Sequence, residues 1–201
     1  MNRVAGIVLA AGGGSRFGRP KALVRLDGEP LLARAARTLE TGGCGPVVAV
    51  LGAEAGRVQE LAPAGVATVV AGQWTTGIGA SLRAGLRAAA ELDPPVPAAL
   101  VHLVDLPDVG PAVVRRILDS AGTQDDPHRA LVRAVYAGRP GHPVLLGRAH
   151  WEPLLASVRG DTGAGPWLRG RDDVVRIECG DLATGADADT PDALRRHGRV
   201  T

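Results

Sequence analysis

Apolar and amphipathic stretches alternate through the first 120 residues of the chain. Near-continuous runs of Val, Ile, Leu and Ala predict strands that are buried on both faces, at residues 4–10, 47–51, 66–70 and 98–104. Apolar positions at helical spacing predict amphipathic helices between and after them, at residues 30–41, 54–61, 80–92 and 111–120. This β-α-β-α order predicts an α/β fold with a Rossmann-like, doubly wound and mostly parallel sheet.

The pattern changes after residue 128. Two strands, at residues 130–136 and 143–146, flank a glycine-rich connection and are expected to form a hairpin. A helix at 149–158, a glycine-rich turn, a strand at 174–177 and a final helix from Pro191 complete the chain. No linker of the kind that separates domains interrupts it, so residues 1–201 are expected to form a single domain.

Composition excludes several classes of protein. The chain has 201 residues, 45% of them hydrophobic and 22% charged, as in ordinary globular proteins. A net charge of +2 and an aromatic content of 2% argue against a nucleic-acid partner. No apolar run is long enough to cross a membrane. Cys44 and Cys179 show neither metal nor redox spacing, and a reducing, cytoplasmic location is expected.

A glycine-rich loop follows the first predicted strand. Glycines let backbone N–H groups approach an anion closely, and Arg16, Arg19 and Lys21 add positive charge, so the loop is a candidate phosphate site. Its candidate nucleotide-binding residues are Leu9, Ala10, Ala11, Gly12, Gly13, Gly14, Ser15, Arg16 and Lys21. The Lys-Ser/Thr ending of a P-loop is missing. Phe17 replaces the last glycine of the dinucleotide fingerprint, which argues against a Rossmann-type oxidoreductase.

Lys21 is the only lysine in the chain, among 22 arginines. Its retention in so arginine-rich a chain suggests chemistry that needs a compact ammonium group. Chance retention is the competing interpretation.

Carboxylates stand at two positions where a metal ion could bind. Asp105 comes directly after the fourth buried strand, at the sheet edge where α/β proteins bind ligands. Asp187 and Asp189 would point the same way if their segment is extended. Either could hold Mg²⁺ with Asp105. Asp105 can also be explained as a turn or helix-capping residue. Asp187 and Asp189 can be explained as part of a capping sequence, with Thr190 and Pro191 in the usual starting positions of the last helix.

Taken together, these residues resemble the MobA-like nucleotidyltransferases, and most closely the molybdenum cofactor cytidylyltransferases. The opening motif matches at Leu9, Ala10, Ala11, Gly12, Arg16, Gly18 and Lys21, while Gly14 and Phe17 stand in place of the family's Ser and Met. Further similar segments follow along the chain, at Trp74–Leu86, Asp105–Pro107, Gly141–Leu145, Gly160–Ala164 and Asp187–Leu194.

The resemblance implies a fold of the nucleotide-diphospho-sugar transferase type, with nucleotide bound by the N-terminal half and acceptor by elements from about residue 128. It implies Mg²⁺- or Mn²⁺-dependent transfer of CMP from CTP to the phosphate of molybdopterin, with release of pyrophosphate. The implied roles are catalytic for Arg16, Lys21 and Asp105, and metal binding for Asp105 and Asp189. Gly79, Ser81 and Asp105 would join the loop in binding nucleotide, and His142, Pro143 and Asp161 would bind the acceptor.

Several alternatives remain open. Related guanylyltransferases tend to have Gly at the position of Ala11, whose methyl group favours cytosine over a purine by leaving less room. Other acceptors are methylerythritol phosphate, phospholactate or a sugar phosphate. A nucleotide-binding chaperone for a molybdoenzyme is the non-enzymatic alternative, and an enzyme of the xanthine dehydrogenase type is a possible protein partner.

Overall fold

The structure, a computed structural model, describes residues 3–201. Its strands within that range are β1 (Val4–Ala10), β2 (Arg25–Leu26), β3 (Glu29–Pro30), β4 (Val47–Leu51), β5 (Ala67–Val70), β6 (Ala98–Leu103), β7 (Leu131–Tyr136), β8 (Arg139–Gly147) and β9 (Val175–Glu178). The α-helices there are α1 (Leu31–Gly42), α2 (Ala55–Gln59), α3 (Ile78–Ala90), α4 (Pro111–Gly122), α5 (Trp151–Ser157), α6 (Gly165–Arg169) and α7 (Pro191–Arg195). None of these helices is long and apolar enough to cross a membrane.

Seven strands form one sheet in the order β5-β4-β1-β6-β8-β7-β9. Neighbouring strands pair in parallel except at β8, which is antiparallel to both β6 and β7. The predicted doubly wound, mostly parallel α/β sheet is therefore confirmed. From β1 the chain first adds strands on one side and then crosses to β6 on the other, so the topological switch point lies between β1 and β6.

Apolar side chains fill both faces of the sheet, as the unbroken apolar runs predicted. On one face, Leu39 of α1 and Ile117 of α4 belong to the buried cluster. On the other, Leu86 of α3 and Leu154 of α5 do so. Both layers hold the sheet rigid, so that the loops at its carboxyl edge start from fixed positions.

A small third cluster ties the C-terminal segment to the first part of the chain. Leu26 of β2 and Leu194 of α7 are fully buried together with Val24, Leu31 and Ala188. The backbones of Arg25 and Thr201 exchange hydrogen bonds of 3.0 Å in both directions. The last fifteen residues are thereby packed beside the segment that contains Lys21.

Four details differ from the predicted elements. Residues 139–142 of the predicted connection belong to β8, because Ala137 and Gly138 turn the chain tightly with φ of 49° and 75°. The glycine-rich stretch after α5 contains the short helix α6. The second helix is one short turn, Ala55–Gln59. The hairpin β2–β3 was not predicted, although its Asp27-Gly28 turn, with φ of 53° and 83°, is a typical hairpin signal.

Candidate active site

The candidate site is a cleft of about 450 Å³ at the carboxyl ends of β1 and β6. This is the topological switch point, where open α/β sheets bind their ligands. Its lining residues are Leu9, Ala11, Gly12, Gly13, Gly14, Ser15, Arg16, Lys21, Trp74, Thr75, Gly77, Ile78, Ser81, Leu103, Val104, Asp105, Asp161 and Asp189.

The glycine loop after β1 is shaped by a turn that closes on Gly14. The carbonyl oxygen of Gly14 accepts hydrogen bonds from the backbone N–H groups of Phe17, at 2.8 Å, and Gly18, at 2.9 Å. Gly14 has φ of +62°, and a Cβ atom there would lie 1.9 Å from the carbonyl oxygen of Arg19. A Cβ on Gly12 would meet nothing within 4 Å. Gly14 is thus required by the turn itself, whereas Gly12 leaves open space beside the cleft.

Lys21 joins two carboxylates that are far apart in the chain. Its Nζ donates to Asp105 Oδ2 and to Asp189 Oδ1, at 2.6 Å in each case. Arg16 donates to the other oxygen of Asp189 at 3.0 Å. The side chain of Lys21 is 14% exposed and that of Arg16 is 75% exposed, so the lysine lies inside the cleft and the arginine at its rim.

The C-terminal segment reaches this site through a backbone contact. The N–H of Ala188 donates to the carbonyl oxygen of Asp105 at 2.9 Å. Ala188 is buried, and Asp189, next in the chain, faces Lys21. The hydroxyl of Thr190 accepts from the N–H of Ala193 and begins α7, so the capping interpretation of this segment is confirmed alongside the contact with Lys21.

Opposite charges shift the pKa values in this cluster in different directions. Burial alone would lower the pKa of Lys21, but the hydrogen bonds and charges of Asp105 and Asp189 together raise it. The hydrogen bond from Lys21 lowers the pKa of Asp189. Burial, with repulsion from Asp105 and Asp189, raises the pKa of Asp187. Of the two C-terminal candidates, it is therefore Asp189 that pairs with Lys21.

The oxygens of Asp105 and Asp189 converge on one cation, the Lys21 ammonium, and two carboxylates placed in this way fit a divalent metal ion that is also held by phosphate oxygens. Within residues 3–201, His, Cys, Asp and Glu side chains form no cluster of three or more that could hold a metal alone. Carboxylate oxygens are hard ligands of the kind that Mg²⁺ and Mn²⁺ prefer.

Trp74 forms one wall of the cleft. A Cβ on Gly52 would lie 2.7 Å from Trp74 Cγ, so the ring packs directly over the backbone that follows β4. Ring atoms of Trp74 also lie 3.4 Å from the Cβ position of Gly13. The tryptophan is thus fixed against the glycine loop and gives the cleft a flat apolar side.

Two of the predicted nucleotide-binding residues do not line the cleft. Ala10 is buried within β1. Gly79 instead permits a close approach of α3 to the segment after α5, because a Cβ on it would lie 2.5 Å from Val158 Cγ1. Ser81 does line the cleft, from the first turns of α3.

Two of the three predicted acceptor residues, His142 and Asp161, line a second, adjoining pocket of about 290 Å³. Asp161 borders both the cleft and this pocket, and its Oδ1 lies 3.4 Å from the N–H of Ile78 at the start of α3. His142 lines the pocket, where burial and the nearby Arg133 lower its pKa to about 3. Pro143, the third, is buried and lines neither the cleft nor this pocket. Arg133 also lines the pocket and was not predicted, although a lone charge within the apolar run of β7 was a signal.

Comparison with protein families gives one match that covers most of the chain. The MobA-like NTP transferase domain matches residues 6–175. The matched range includes the glycine loop, Asp105 and the second pocket, whereas Asp189 lies beyond it.

Individual proteins of known sequence or structure are also similar. The chain is 38% identical to nicotine blue oxidoreductase of Paenarthrobacter nicotinovorans, over 96% of this chain and 95% of that protein. The crystal structure of Rv0371c from Mycobacterium tuberculosis has a TM-score of 0.79, with 30% identity and 97% of each chain covered. Rv0371c has also been crystallised in complex with manganese, and that structure has a TM-score of 0.73. A nucleotidyl transferase from Methanothermobacter, 23% identical with a TM-score of 0.78 over 98% of this chain and 96% of that one, shares the fold.

Proposed function

Since the chain belongs to the MobA-like NTP transferase family, we propose that it is a metal-dependent nucleotidyltransferase that transfers CMP from CTP to the phosphate of molybdopterin. The observation that carries this proposal is the convergence of Lys21, Asp105 and Asp189 beside a glycine loop at the topological switch point. A protein that only binds nucleotide has no need for a lysine between two carboxylates that can hold a metal ion.

The reaction forms a bond between an oxygen of the acceptor phosphate and the α-phosphorus of the NTP. The bond from the α-phosphorus to the bridging oxygen breaks, and pyrophosphate leaves with that electron pair. Such a displacement needs alignment and charge neutralisation more than a protein nucleophile. The cleft supplies both, through the N–H groups of the glycine loop and the charges of Arg16 and Lys21.

Asp105 and Asp189 would hold Mg²⁺ or Mn²⁺, which neutralises phosphate charge and aligns the reacting oxygens when bound. The crystal structure of Rv0371c with manganese supports a divalent ion in proteins of this kind. Lys21 then exchanges its two carboxylate partners for phosphate oxygens. The same ammonium thus positions the two carboxylates and also neutralises charge on the substrate.

Cytosine is the proposed base because the methyl group of Ala11 projects into the crowded start of the loop. A Cβ on Gly52 would lie 2.8 Å from Ala11 Cβ and 2.5 Å from its carbonyl oxygen, so the backbone after β4 prevents Ala11 from moving back. Less space at this point disfavours the larger purine. Guanylyl transfer, and the other phosphorylated acceptors named above, are the alternatives within the same chemistry.

Thermal unfolding with CTP, GTP, ATP or UTP tests nucleotide choice, each with Mg²⁺ and again with excess chelator. A ligand at a hundred times its Kd stabilises a fold by about 2.7 kcal/mol, which is a readily measured shift. We expect a metal-dependent shift with CTP. Pyrophosphate release on addition of molybdopterin then tests transfer. A shift without turnover would favour the chaperone alternative, in which a molybdoenzyme of the xanthine dehydrogenase type receives the bound molecule.

A second candidate function is reduction or oxidation of a conjugated heterocycle. It is favoured by the 38% identity to nicotine blue oxidoreductase over almost the whole chain. The missing dinucleotide fingerprint in the glycine loop argues against it. Nicotine blue mixed with the protein and NADH or NADPH provides the test, because loss of the nicotinamide absorbance in step with loss of the dye colour would replace the transferase proposal.

A further inference from the structure

The second pocket is a slot between the sheet and the helical layer. It shares Leu9, Ile78 and Asp161 with the nucleotide cleft, so the two spaces meet. Its other walls are mostly apolar and are formed by Leu82, Val101, Val144, Leu146, Pro166 and Leu168. A slot of about 290 Å³ between two packed layers suits a flat and largely apolar body.

Arg133 is the positive charge of this slot. Its Nε donates to the carbonyl oxygen of Gly141 at 3.1 Å, and among the described residues no carboxylate pairs with its guanidinium group. Arg176 is its partner in the β7–β9 register. Burial and repulsion from Arg176 and Arg169 lower the pKa of Arg133. Arg133 is therefore a charge of the slot without an ion-pair partner, and Asp161, the acidic residue that lines the slot, lies where the slot meets the cleft.

A partly buried guanidinium that lacks a carboxylate is costly unless a ligand provides one. Its planar fork matches the two oxygens of a carboxylate or phosphate group. The neighbouring His142 is neutral at pH 7 because its pKa is far below that value, so it neither repels nor attracts an anion by charge. The anion would be held by Arg133.

We propose that the slot binds the flat body of the second substrate and that Arg133 binds an anionic group on it, separate from the phosphate that reacts. This inference rests on the proposed function, in which the reacting phosphate lies in the cleft beside Lys21. Arg133 lines only the second pocket and Lys21 only the cleft, so we assign the two cations to separate anionic groups. The second substrate is accordingly a planar molecule with anionic groups at two separate points.

Binding of 2-naphthoate and of its uncharged counterpart 2-naphthamide, measured by fluorescence without nucleotide, tests the slot separately from catalysis. We expect the wild-type protein to bind naphthoate about tenfold or more tightly than naphthamide, the range expected for a hydrogen bond to a charged group. Arg133→Gln should remove that preference. Arg176→Gln is the matched control, since it removes the same charge from an exposed neighbour and should keep most of the preference.

Ala164→Trp is a second variant that does not depend on Arg133, because it fills the slot that Ala164 lines. It should abolish binding of both probes while the CTP-dependent thermal shift remains. The inference is overturned if Arg133→Gln retains the preference for naphthoate, if Ala164→Trp still binds the probes, or if the wild-type protein binds neither. If the wild-type protein binds naphthoate but shows no CTP-dependent thermal shift, the result counts against the proposed function and not against this inference.

Discussion

Lys21 and Asp189 are 168 positions apart in the chain, yet Nζ of the first lies 2.6 Å from Oδ1 of the second. The small cluster of Leu26, Leu31 and Leu194 holds the two segments together. The charges of the cleft therefore depend on the packing of a few apolar side chains that never reach it.

Replacement of Lys21 should separate catalysis from folding. In Lys21→Ala, Asp105 and Asp189 lose their shared cation, and the charge opposing the phosphates is also lost. We expect kcat to fall about a hundredfold or more, as when a preorganised charge-stabilising donor is removed. Mg²⁺ without nucleotide should raise the melting temperature of the variant more than that of the wild type, because it replaces the ammonium. Full turnover of Lys21→Ala at saturating CTP would show that Lys21 has no catalytic role.

Gly14 and Gly12 form a matched pair of substitutions in the same loop. Gly14→Ala places a Cβ 1.9 Å from the carbonyl oxygen of Arg19 at φ +62°, so it should lower the free energy of unfolding by about 2 kcal/mol. Gly12→Ala places its methyl group in open space and should leave stability nearly unchanged while weakening nucleotide binding. Urea unfolding and CTP titration of both variants check this, and equal stability of the two would contradict it.

Ala11→Gly should shift the choice of nucleotide. Removal of the methyl group enlarges the cleft beside Gly52, so the ratio of kcat/KM for CTP to that for GTP should fall about tenfold, as for a methyl-sized change in a pocket. Ala10→Gly is the control, since Ala10 lies within β1 and does not line the cleft. An unchanged ratio of kcat/KM values in Ala11→Gly would show that another residue determines the choice of nucleotide.

His102 should make stability depend on pH. Burial lowers the pKa of this histidine to about 4, and its Nδ1 has no hydrogen-bond partner among the described residues. The unfolded chain takes up a proton near pH 6.5 and the folded one does not, so stability falls as pH decreases from about 6.5 towards 4, by up to about 1.4 kcal/mol per unit.

Urea unfolding at pH 7, 6 and 5 measures this slope. His102→Leu should flatten it, with a remaining contribution from His142, whose pKa is lowered in the same direction. His197→Gln, at an exposed position near the C-terminus, serves as a control that should keep the wild-type slope. An unchanged slope in His102→Leu would contradict the interpretation.

The sheet and the glycine loop could be predicted because their signals are local. An unbroken run such as Val47–Leu51 predicts a strand buried on both faces wherever it occurs, and its carboxyl end then indicates where the ligand cleft lies. The motif around Lys21 and the position of Asp105 at a strand end could be recognised from the sequence alone. Both residues line the cleft, and their roles there stay predictions.

Other features depend on contacts that no local pattern reports. The pairing of Lys21 with Asp189 rather than with Asp187 joins distant segments of the chain, so only the folded structure reveals it. The motif glycine Gly79 serves the contact between α3 and Val158 rather than the cleft wall. Arg133 was missed because its importance comes from the lack of a carboxylate partner among the described residues, which no local sequence pattern reports.

The position of Asp189 after Lys21 and Asp105 in the chain determines when the site can be completed during translation. The glycine loop, Lys21 and Asp105 are all synthesised before the last fifth of the chain, and without Asp189 the lysine has one carboxylate instead of two. A nascent chain still attached to the ribosome thus holds an unfinished site, even if most of its sheet has formed. Under the proposed function, a chain truncated before Asp187 lacks one of the two metal-binding carboxylates and should be inactive.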